Sequence, residues 1–434
     1  MQQRLKILFV TGDWILPLGN GAQQRALNIS RLLGRIGDVS FAIIPRHTDD
    51  PEMVSLNKRG FDVRVVFHAA PEAPKGAFGR LGRRFRREFD AGCLETDIYS
   101  ISACDRAALL NLVQGYDVVW VQDVKTANSC RIGRWTHSVL DTVDVPSNMC
   151  RSMARTRGNV PRRLLDYRHS WIWMRRERLF TERFDVVTVC SEDESRLFGA
   201  HPRVHVIPNG FNAQPVLRSF LSEAPRLGFI GTLGWRPNRE GFEWFARDVW
   251  PNIKRELPRA QLRIIGKSTG DAGGMGPDIA GLGWLEDPGE EIATWSAMIV
   301  PIRFGAGTRV KMAEGFARKC PIVATTIGAF GYGVRDGEEF LHADDAQDFA
   351  SACVRLARDP ELGRAIADRA HQRFLREWSW DAQEDKIRAV IRECLARSGR
   401  PQEVARTSDC EVRGFSVDQD KSRRPQDRRS VLLR

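Results

Sequence analysis

The sequence of 434 residues contains no long hydrophobic run. A helix that spans a bilayer needs about 20 consecutive apolar residues, and no stretch of the chain approaches that length. The first ten residues, MQQRLKILFV, lead directly into a strand-like pattern and lack the features of a signal peptide. We therefore expect a cytoplasmic protein without a membrane-spanning segment.

The sequence also lacks paired metal ligands. Its nine cysteines stand singly, with no C-x-x-C pair, and its eight histidines never adopt the H-E-x-x-H spacing or a comparable one. Zinc sites and disulfide frameworks depend on such spacings. The sequence therefore predicts no structural metal and no disulfide framework.

Positive charge is in excess, with a formal net charge of +11, and it is concentrated in arginine-rich stretches at 80–87 and 151–183. Such a surface attracts nucleic acid, an anionic membrane or phosphorylated ligands. Because no RNA-binding, zinc-finger or helix-turn-helix signature accompanies it, we expect no nucleic-acid partner. Residues 171–174 (Trp-Ile-Trp-Met) leave two interpretations open: a surface that binds anionic lipid, or a solvated face whose tryptophans lie in the core.

Short apolar runs alternate with helical patterns twice along the chain, first between residues 7 and 189 and again between 227 and 325. Fully apolar strands separated by helices predict parallel sheets that are covered on both faces. We therefore predict an α/β protein with two Rossmann-like, doubly wound domains. The predicted parts are an N-terminal domain (1–207), a linker (208–225), a C-terminal domain (226–378), a final helix (379–396) and a disordered polar tail (397–434).

The segment 301–314 has the strongest chemical pattern. It runs from an apolar strand through two glycines into a helix, the position where ligands bind doubly wound sheets. Unpaired amides at the helix start, together with Arg309 and Lys311, suit a diphosphate, and Glu314 suits a ribose diol. The alternative is an ordinary surface ion pair between Lys311 and Glu314, which leaves the glycine bend unexplained.

A second loop places Gly19 and Gly21 just before an amphipathic helix. Glycines there permit close backbone approach, and the helix N-terminus favours an anion. The pattern is not G-x-G-x-x-G, and no acidic residue stands at the ribose position, so an NAD-dependent enzyme is disfavoured.

The motif Gly305-x-Gly-Thr-Arg-Val-Lys-x-x-Glu314 resembles the donor-site signature of the group 1 (family 4) retaining glycosyltransferases of GT-B fold. The similarity covers residues 5–395 and is more specific in the C-terminal half. Further residues that share it are 19–21, 207–210, 229–238, 321–325 and 328–331.

The resemblance implies two Rossmann-like domains facing across a cleft, with the final helix returning to the N-terminal domain. It implies a nucleotide-sugar donor bound by the C-terminal domain, a glycan or lipid-linked acceptor on the N-terminal side, no cofactor, and transfer with retention in polysaccharide or glycoconjugate biosynthesis. The catalytic residues that it implies are Arg309, Lys311 and Asp144, with Asp141 as the alternative to Asp144. The donor-binding residues that it implies are Gly19, Gly21, Arg236, Asn238, Gly305, Gly307, Thr308 and Glu314.

Three positions depart from the family pattern. Ala306 stands where a first glutamate is common, Thr232 stands where an arginine is common, and the region 141–144 replaces a histidine. The missing first glutamate keeps open a non-catalytic protein that binds sugar nucleotides. A sugar-nucleotide epimerase also stays open, because such enzymes likewise use two Rossmann-like domains. A phosphorylase would need a pyridoxal lysine in a much longer chain.

Overall fold

The computed structural model of the chain describes residues 4–46, 50–71, 76–96, 98–215, 223–270, 276 and 278–398. Within them the chain forms two parallel sheets, one in each half, and one short antiparallel strand pair. We call residues 4–215 the N-half and the described residues from 223 to 398 the C-half.

The N-half contains a sheet of seven parallel strands in the order β3-β2-β1-β6-β7-β8-β9. The strand order reverses between β1 and β6, which is where doubly wound sheets bind ligands. A two-residue antiparallel pair, β4 with β5, lies outside this sheet. The strands are β1 (Leu5–Thr11), β2 (Gly37–Ile43), β3 (Asp62–Val66), β4 (Ala70–Pro71), β5 (Tyr99–Ser100), β6 (Val118–Gln122), β7 (Ser138–Asp141), β8 (Val186–Val189) and β9 (Val204–Val206).

Helices connect the parallel strands of the N-half, as parallel pairing requires. Several begin with a side-chain cap, for example Asn20, which accepts a hydrogen bond from the Gln23 amide at 2.9 Å. The helices are α1 (Gly21–Gly34), α2 (Pro51–Gly60), α3 (Gly76–Phe89), α4 (Ala103–Val113), α5 (Val124–Ser129), α6 (Pro146–Thr156), α7 (Val160–Glu177), α8 (Phe180–Arg183) and α9 (Glu192–Leu197).

The C-half repeats this design with six parallel strands in the order β12-β11-β10-β13-β14-β15. Its strands are β10 (Arg226–Ile230), β11 (Gln261–Ile265), β12 (Ile279–Gly281), β13 (Ala297–Val300), β14 (Ile322–Ala324) and β15 (Leu341–His342). Its helices are α10 (Arg236–Trp244), a π-helical turn (Phe245–Val249), α11 (Trp250–Glu256), α12 (Gly289–Ile292), α13 (Val310–Ala317), α14 (Ala346–Arg358), α15 (Pro360–Glu377), a 3₁₀ turn (Asp381–Gln383) and α16 (Glu384–Arg397).

The central strands are buried on both faces. Residues 7–10 of β1 and 297–300 of β13 are fully inaccessible to solvent. Each stretch is continuously apolar, without the alternation of polar and apolar residues that a strand with one exposed face shows. A strand of this kind needs helices on both sides of its sheet. The α/β fold with two Rossmann-like halves, predicted from these apolar runs, is confirmed.

The last helix, α16, packs against α1 and against strands β6, β7 and β8 of the N-half. Two polar contacts accompany this packing: Arg35 donates to Glu384 at 2.7 Å, and His205 Nε2 lies 2.6 Å from Glu393 Oε2. The C-terminal end of the described chain is therefore anchored on the N-half.

Two predicted segments fall partly or largely outside the described residues. They are the linker at 208–225, of which 216–222 are not described, and the polar tail at 397–434, of which only 397 and 398 are described. The predicted domain boundaries therefore stay predictions. Across the described ranges, no helix is both long enough and apolar enough to cross a membrane.

Candidate functional site

The segment between β13 and α13 forms a tight loop that points at the N-half. Gly305 and Gly307 have φ angles of 150° and 68°, in the region that favours glycine. A Cβ atom on Gly307 would lie 2.2 Å from Asp144 Oδ1, and one on Gly305 would lie 2.8 Å from the guanidinium of Arg309. We call residues 305–308 the glycine loop; both of its glycines are required by conformation and by space.

Two cationic side chains lie where the glycine loop enters α13. Arg309 is 5% exposed and donates through Nη2 to the carbonyls of Ala306 at 2.6 Å and Gly307 at 3.0 Å. Lys311 Nζ donates to Asn238 Oδ1 at 2.9 Å and lies 3.9 Å from the centre of the Phe229 ring.

These cations are costly to keep charged, because burial lowers the pKa of both Arg309 and Lys311. Arg309 Nε is buried and has no hydrogen-bond partner. Among the described residues, neither cation has a carboxylate within ion-pair distance, although Asp144 and Glu194 favour the charged form of Arg309 from further away. Two cations at a helix start, one buried and one half-buried and neither in an ion pair with a described residue, form an anion-binding arrangement.

Glu314 forms its ion pair with Arg318 and not with Lys311. Its carboxylate accepts from Arg318 Nε at 3.3 Å, and Arg318 also lies 3.0 Å from Asp287. Burial raises the pKa of Glu314, which is 9% exposed. The surface ion pair between Lys311 and Glu314, considered as the alternative explanation of the motif, is therefore not formed.

The second predicted loop lies against this segment from the N-half. A Cβ atom on Gly21 would lie 3.2 Å from a methyl group of Val310, the first residue of α13. A Cβ atom on Gly19 would lie 3.2 Å from Lys267 Nζ. The structure thus brings Gly19 and Gly21 to the donor segment, and it adds Lys267 as a cation that the sequence reasoning missed.

Arg236 and Asn238 lie at the start of α10, beside the same segment. Arg236 pairs with Glu240 and stacks over the Phe304 ring at 5.3 Å. Asn238 donates to the Thr232 carbonyl at 3.0 Å and accepts from Lys311. Asn238 therefore orients Lys311, and Arg236 covers the residue that precedes the glycine loop.

The two aspartates at the carboxyl end of β7, Asp141 in the strand and Asp144 after it, occupy different environments. Asp141 is fully buried in an ion pair with Arg25 at 2.7 Å. Asp144 instead faces Gly307, and burial raises its pKa to about 6, although Arg309 acts in the opposite direction. Of the two candidates, Asp144 is the one that lies at the glycine loop.

Three polar side chains from outside the C-half hold the backbone of the glycine loop. Ser152 Oγ accepts from the Gly305 amide at 2.9 Å, and Glu194 Oε1 accepts from the Gly307 amide at 3.0 Å. The Asn209 side chain donates to the Thr308 carbonyl at 3.4 Å. Sequence reasoning noted Asn209 only as part of a turn and missed the other two, since nothing local to α6 or α9 indicates a partner so distant in sequence.

The described residues contain no group of three or more His, Cys, Asp or Glu side chains arranged to hold a metal ion. The site is built from backbone amides, cations and the three carboxylates of Asp144, Glu194 and Glu314 around the start of α13. This arrangement is suited to bind a phosphorylated ligand and to stabilise negative charge on it.

Comparison with known proteins agrees with this geometry. Residues 52–210 match the model of the glycosyl transferase 4-like domain, and residues 224–359 match that of glycosyl transferases group 1. Phosphatidyl-myo-inositol mannosyltransferase of Mycobacterium leprae is 30% identical over 214 residues, which are 46% of this chain and 56% of that protein. The chain spans about half the length of the curated relatives it matches.

Solved structures share the fold at low identity. Sucrose-phosphate synthase from Thermosynechococcus elongatus has a TM-score of 0.63 and 14% identity, over 91% of this chain and 100% of the other. HepE from Anabaena, solved in complex with UDP and glucose, has a TM-score of 0.60 and 15% identity, over 89% and 99%. The chain therefore belongs to the group 1 glycosyltransferases, with their GT-B fold of two Rossmann-like domains.

Proposed function

We propose that the protein transfers a sugar from a nucleotide-diphosphate-sugar donor to a glycan or lipid-linked acceptor. The observation that carries this proposal is the pair of cations at the start of α13, buried Arg309 and half-buried Lys311, which have no carboxylate of the described residues at ion-pair distance. A diphosphate at this place supplies the missing negative charge. The solved relative with bound UDP and glucose has the same fold and supports the choice of ligand.

The proposed donor contacts follow from this placement. Arg309 and Lys311 contact the diphosphate, and Glu314 accepts hydrogen bonds from the ribose. The glycine loop, with Gly305, Gly307 and Thr308, lies against the diphosphate while its Gly305 and Gly307 amides stay bonded to Ser152 and Glu194. Other contacts come from Arg236 and Asn238 of α10 and, across the cleft, from Gly19 and Gly21.

In the proposed reaction the cations stabilise the charge that builds up on the departing diphosphate. The departing phosphate accepts the proton of the acceptor hydroxyl on the same face of the sugar, so that the anomeric configuration is retained. Asp144, beside the glycine loop, faces the transferred sugar. The reaction as proposed uses no cofactor, and the protein's own cations take the place of a metal ion.

The acceptor is proposed to bind in a cavity of about 370 Å³ in the N-half, at the carboxyl ends of β1, β2 and β6. Its lining includes Trp14, Gln23, Arg46, Asp123 and Lys125. Charged groups of both signs next to an aromatic ring are suited to a hydroxyl-rich ligand with an anionic group. A lipid-linked acceptor has both features, and the mycobacterial relative is named for transfer to such a lipid.

The proposed location is the cytoplasmic face of a membrane, reached through α3 and α7. Leu81, Phe85 and Phe89 lie four residues apart on α3 and are each 59–66% exposed. Trp171 of α7 is 53% exposed, whereas Ile172 is buried and Trp173 packs on the core. Large exposed apolar side chains between arginines are typical of surfaces that bind anionic lipid. This favours the lipid-surface interpretation for Trp171 and the core interpretation for Ile172 and Trp173.

A panel of nucleotides tests the donor site. Nucleoside diphosphates and their sugars, including UDP-glucose and GDP-mannose, should raise the melting temperature of the wild-type protein, because a ligand stabilises the state that binds it. Lys311→Ala should lower the transfer rate by at least about tenfold. It should leave the fold intact, because it removes a desolvated cation.

Lys58→Ala, on the exposed surface of α2, is the matched control and should transfer at the wild-type rate. Wild-type turnover by Lys311→Ala would contradict the donor site. An altered sugar released without an acceptor would indicate an epimerase, and nucleotide binding without transfer or donor hydrolysis would indicate a non-catalytic protein.

A further inference from the structure

The carboxylate of Glu194 bridges the two halves of the protein. Glu194 Oε1 accepts from the Gly307 amide of the glycine loop at 3.0 Å, while Oε2 accepts from the Cys190 amide of its own half at 3.2 Å. The side chain is fully buried. Without it, two buried amides would lose their partner and the glycine loop would lose one of its links to the N-half.

The residues on both sides of this bridge leave the Glu194 carboxylate directed at the glycine loop. Ser191 caps α9 by accepting from the Glu194 amide at 3.2 Å, so the start of the short helix aims the carboxylate at the loop. On the other side, Ala306 is 2% exposed and has only a methyl group, which is too small to compete for the same space. Glu194 therefore supplies a carboxylate beside position 306 from the opposite half.

The surroundings of Glu194 carry both signs of charge. The pKa of Glu194 is raised to about 7, chiefly by burial and also by nearby Asp144, while the two amides and Arg309 act in the opposite direction. Burial likewise raises the pKa of Asp144 to about 6. The charged or titratable groups facing the two carboxylates are Arg25 of α1, Cys190 at the end of β8, Arg309 of the donor segment, and Asp123 and Lys125 at the start of α5.

We infer that Glu194 is a positioning residue of the donor site: by accepting from the Gly307 and Cys190 amides it docks the glycine loop on the N-half, and donor binding requires the docked loop. This inference rests on the proposed function, because it takes the glycine loop as the donor-binding element. It adds a residue and a proton dependence that the family resemblance does not imply.

The direction of the pH dependence follows from proton linkage. When the loop is undocked and Glu194 is in water, its pKa returns towards the ordinary value of about 4.5, whereas in the docked state it is about 7. The docked state therefore holds more protons between these two values, and docking weakens as the pH rises through that window. Two ionised carboxylates would also repel a diphosphate. Both effects make donor binding weaker at high pH.

The test measures the Kd of a nucleotide sugar between about pH 6 and pH 8 for the wild type and three variants. UDP-glucose and GDP-mannose are the probes, because their diphosphate carries no terminal phosphate that titrates near pH 6. The wild-type Kd should rise at least about threefold over this range. Glu194→Gln does not titrate but keeps only one of the two acceptors, so its Kd should change little with pH and should not fall below the wild-type value at pH 6. Glu194→Ala should bind more weakly at every pH.

Glu192→Gln is the control, since Glu192 lies on the same helix and is exposed; it should keep the wild-type pH profile. A flat wild-type profile, or the same slope in Glu194→Gln as in the wild type, would overturn the inference while leaving the donor site in place. A Glu194→Gln protein that binds more weakly by the same factor at each pH would show a merely structural role. Failure of the wild type to bind any nucleotide sugar would overturn the proposed function and the inference with it.

Discussion

Arg25 and Asp141 form an ion pair of 2.7 Å in which neither side chain has any solvent exposure. Arg25 comes from α1 and Asp141 from the last position of β7, and Arg25 also donates to the Ile207 carbonyl at 2.9 Å and to Asn209 Oδ1 at 3.0 Å. Asn209 in turn contacts the carbonyl of Thr308. The pair therefore connects α1, the helix that begins at Gly21, to the start of the linker and to the glycine loop.

Removing one partner of this pair should destabilise the protein strongly. Arg25→Ala leaves Asp141 as a buried charge without its guanidinium, and such losses cost about 3–5 kcal/mol. Denaturant unfolding of the variant measures this free energy. Arg35→Ala is the control, because Arg35 directly follows the same helix and pairs with Asp381 and Glu384. The Arg35 side chain is 52% exposed, and ion pairs at such exposed sites are worth at most about 1 kcal/mol. Equal losses in the two variants would show that Arg25 has no special structural role.

Glu314 is expected to contact the ribose of the donor. A 2′-deoxynucleotide should therefore bind the wild type about tenfold or more weakly than the ribonucleotide, since a hydrogen bond to a charged group is worth about 1.5–3 kcal/mol. Glu314→Ala should bind both nucleotides weakly and should no longer distinguish them. Isothermal titration of UDP and dUDP gives the four affinities. Undiminished discrimination in Glu314→Ala would place the ribose elsewhere.

The fold and half of the site could be predicted from the sequence because their signals are local. Continuous apolar runs identified the parallel strands, and the donor segment concentrates two glycines, Arg309 and Lys311 between a strand and a helix. Each of these patterns occupies fewer than fifteen neighbouring residues, so one sequence is enough to detect it. The prediction of a GT-B group 1 glycosyltransferase, which was made from these patterns, is confirmed by the family models.

The remaining contacts of the site could not be predicted, because they join residues that are far apart in the sequence. Glu194 is 113 positions from Gly307, and Ser152 is 153 positions from Gly305. Before folding, neither residue differs from any other helix-start glutamate or helical serine. Their partners depend on how the two halves meet, and one sequence gives no direct signal for that packing.

Unfolding should become easier as the pH rises from about 4.5 towards 7. Burial raises the pKa of Glu177 to about 7, although its carboxylate accepts from the Ser147 amide at 2.7 Å and from the Ser147 hydroxyl. A raised folded-state pKa gives stability that is present at low pH and lost as the pH rises through that value. Glu194 and Asp144 act in the same direction. Each group contributes up to about 1.4 kcal/mol per pH unit.

Glu177→Gln should make the free energy of unfolding change less steeply with pH, because the amide does not titrate. Urea unfolding at several pH values between about 5 and 7.5 gives the slope for each protein. The control is Glu182→Gln, which changes an exposed glutamate nearby and should keep the wild-type slope. An unchanged slope in Glu177→Gln would show that Glu177 is ionised throughout, stabilised by Ser147.

The exposed apolar residues of α3 and α7 should bind the protein to anionic membranes. The C-terminal end of α3 lies against the middle and C-terminal part of α7, where Arg168 pairs with Glu88 at 2.5 Å and Arg175 donates to the Phe89 carbonyl at 3.4 Å. They therefore present a common surface. In sedimentation with vesicles, the wild type should bind phosphatidylcholine that contains phosphatidylglycerol, and added salt should weaken the binding, because each basic group contributes about 1 kcal/mol at low ionic strength.

Replacing the apolar side chains separates lipid contact from charge attraction. Phe85→Ser with Trp171→Ser should lower vesicle binding by at least about tenfold, because both rings lose apolar area that would be buried in the lipid. Leu375→Ser, in the C-half, removes an apolar side chain of 41% exposure and should bind as the wild type does. Binding of the double variant at wild-type strength would assign the interaction to arginine charge alone, and salt-independent binding of the wild type to neutral vesicles would contradict the proposed surface altogether.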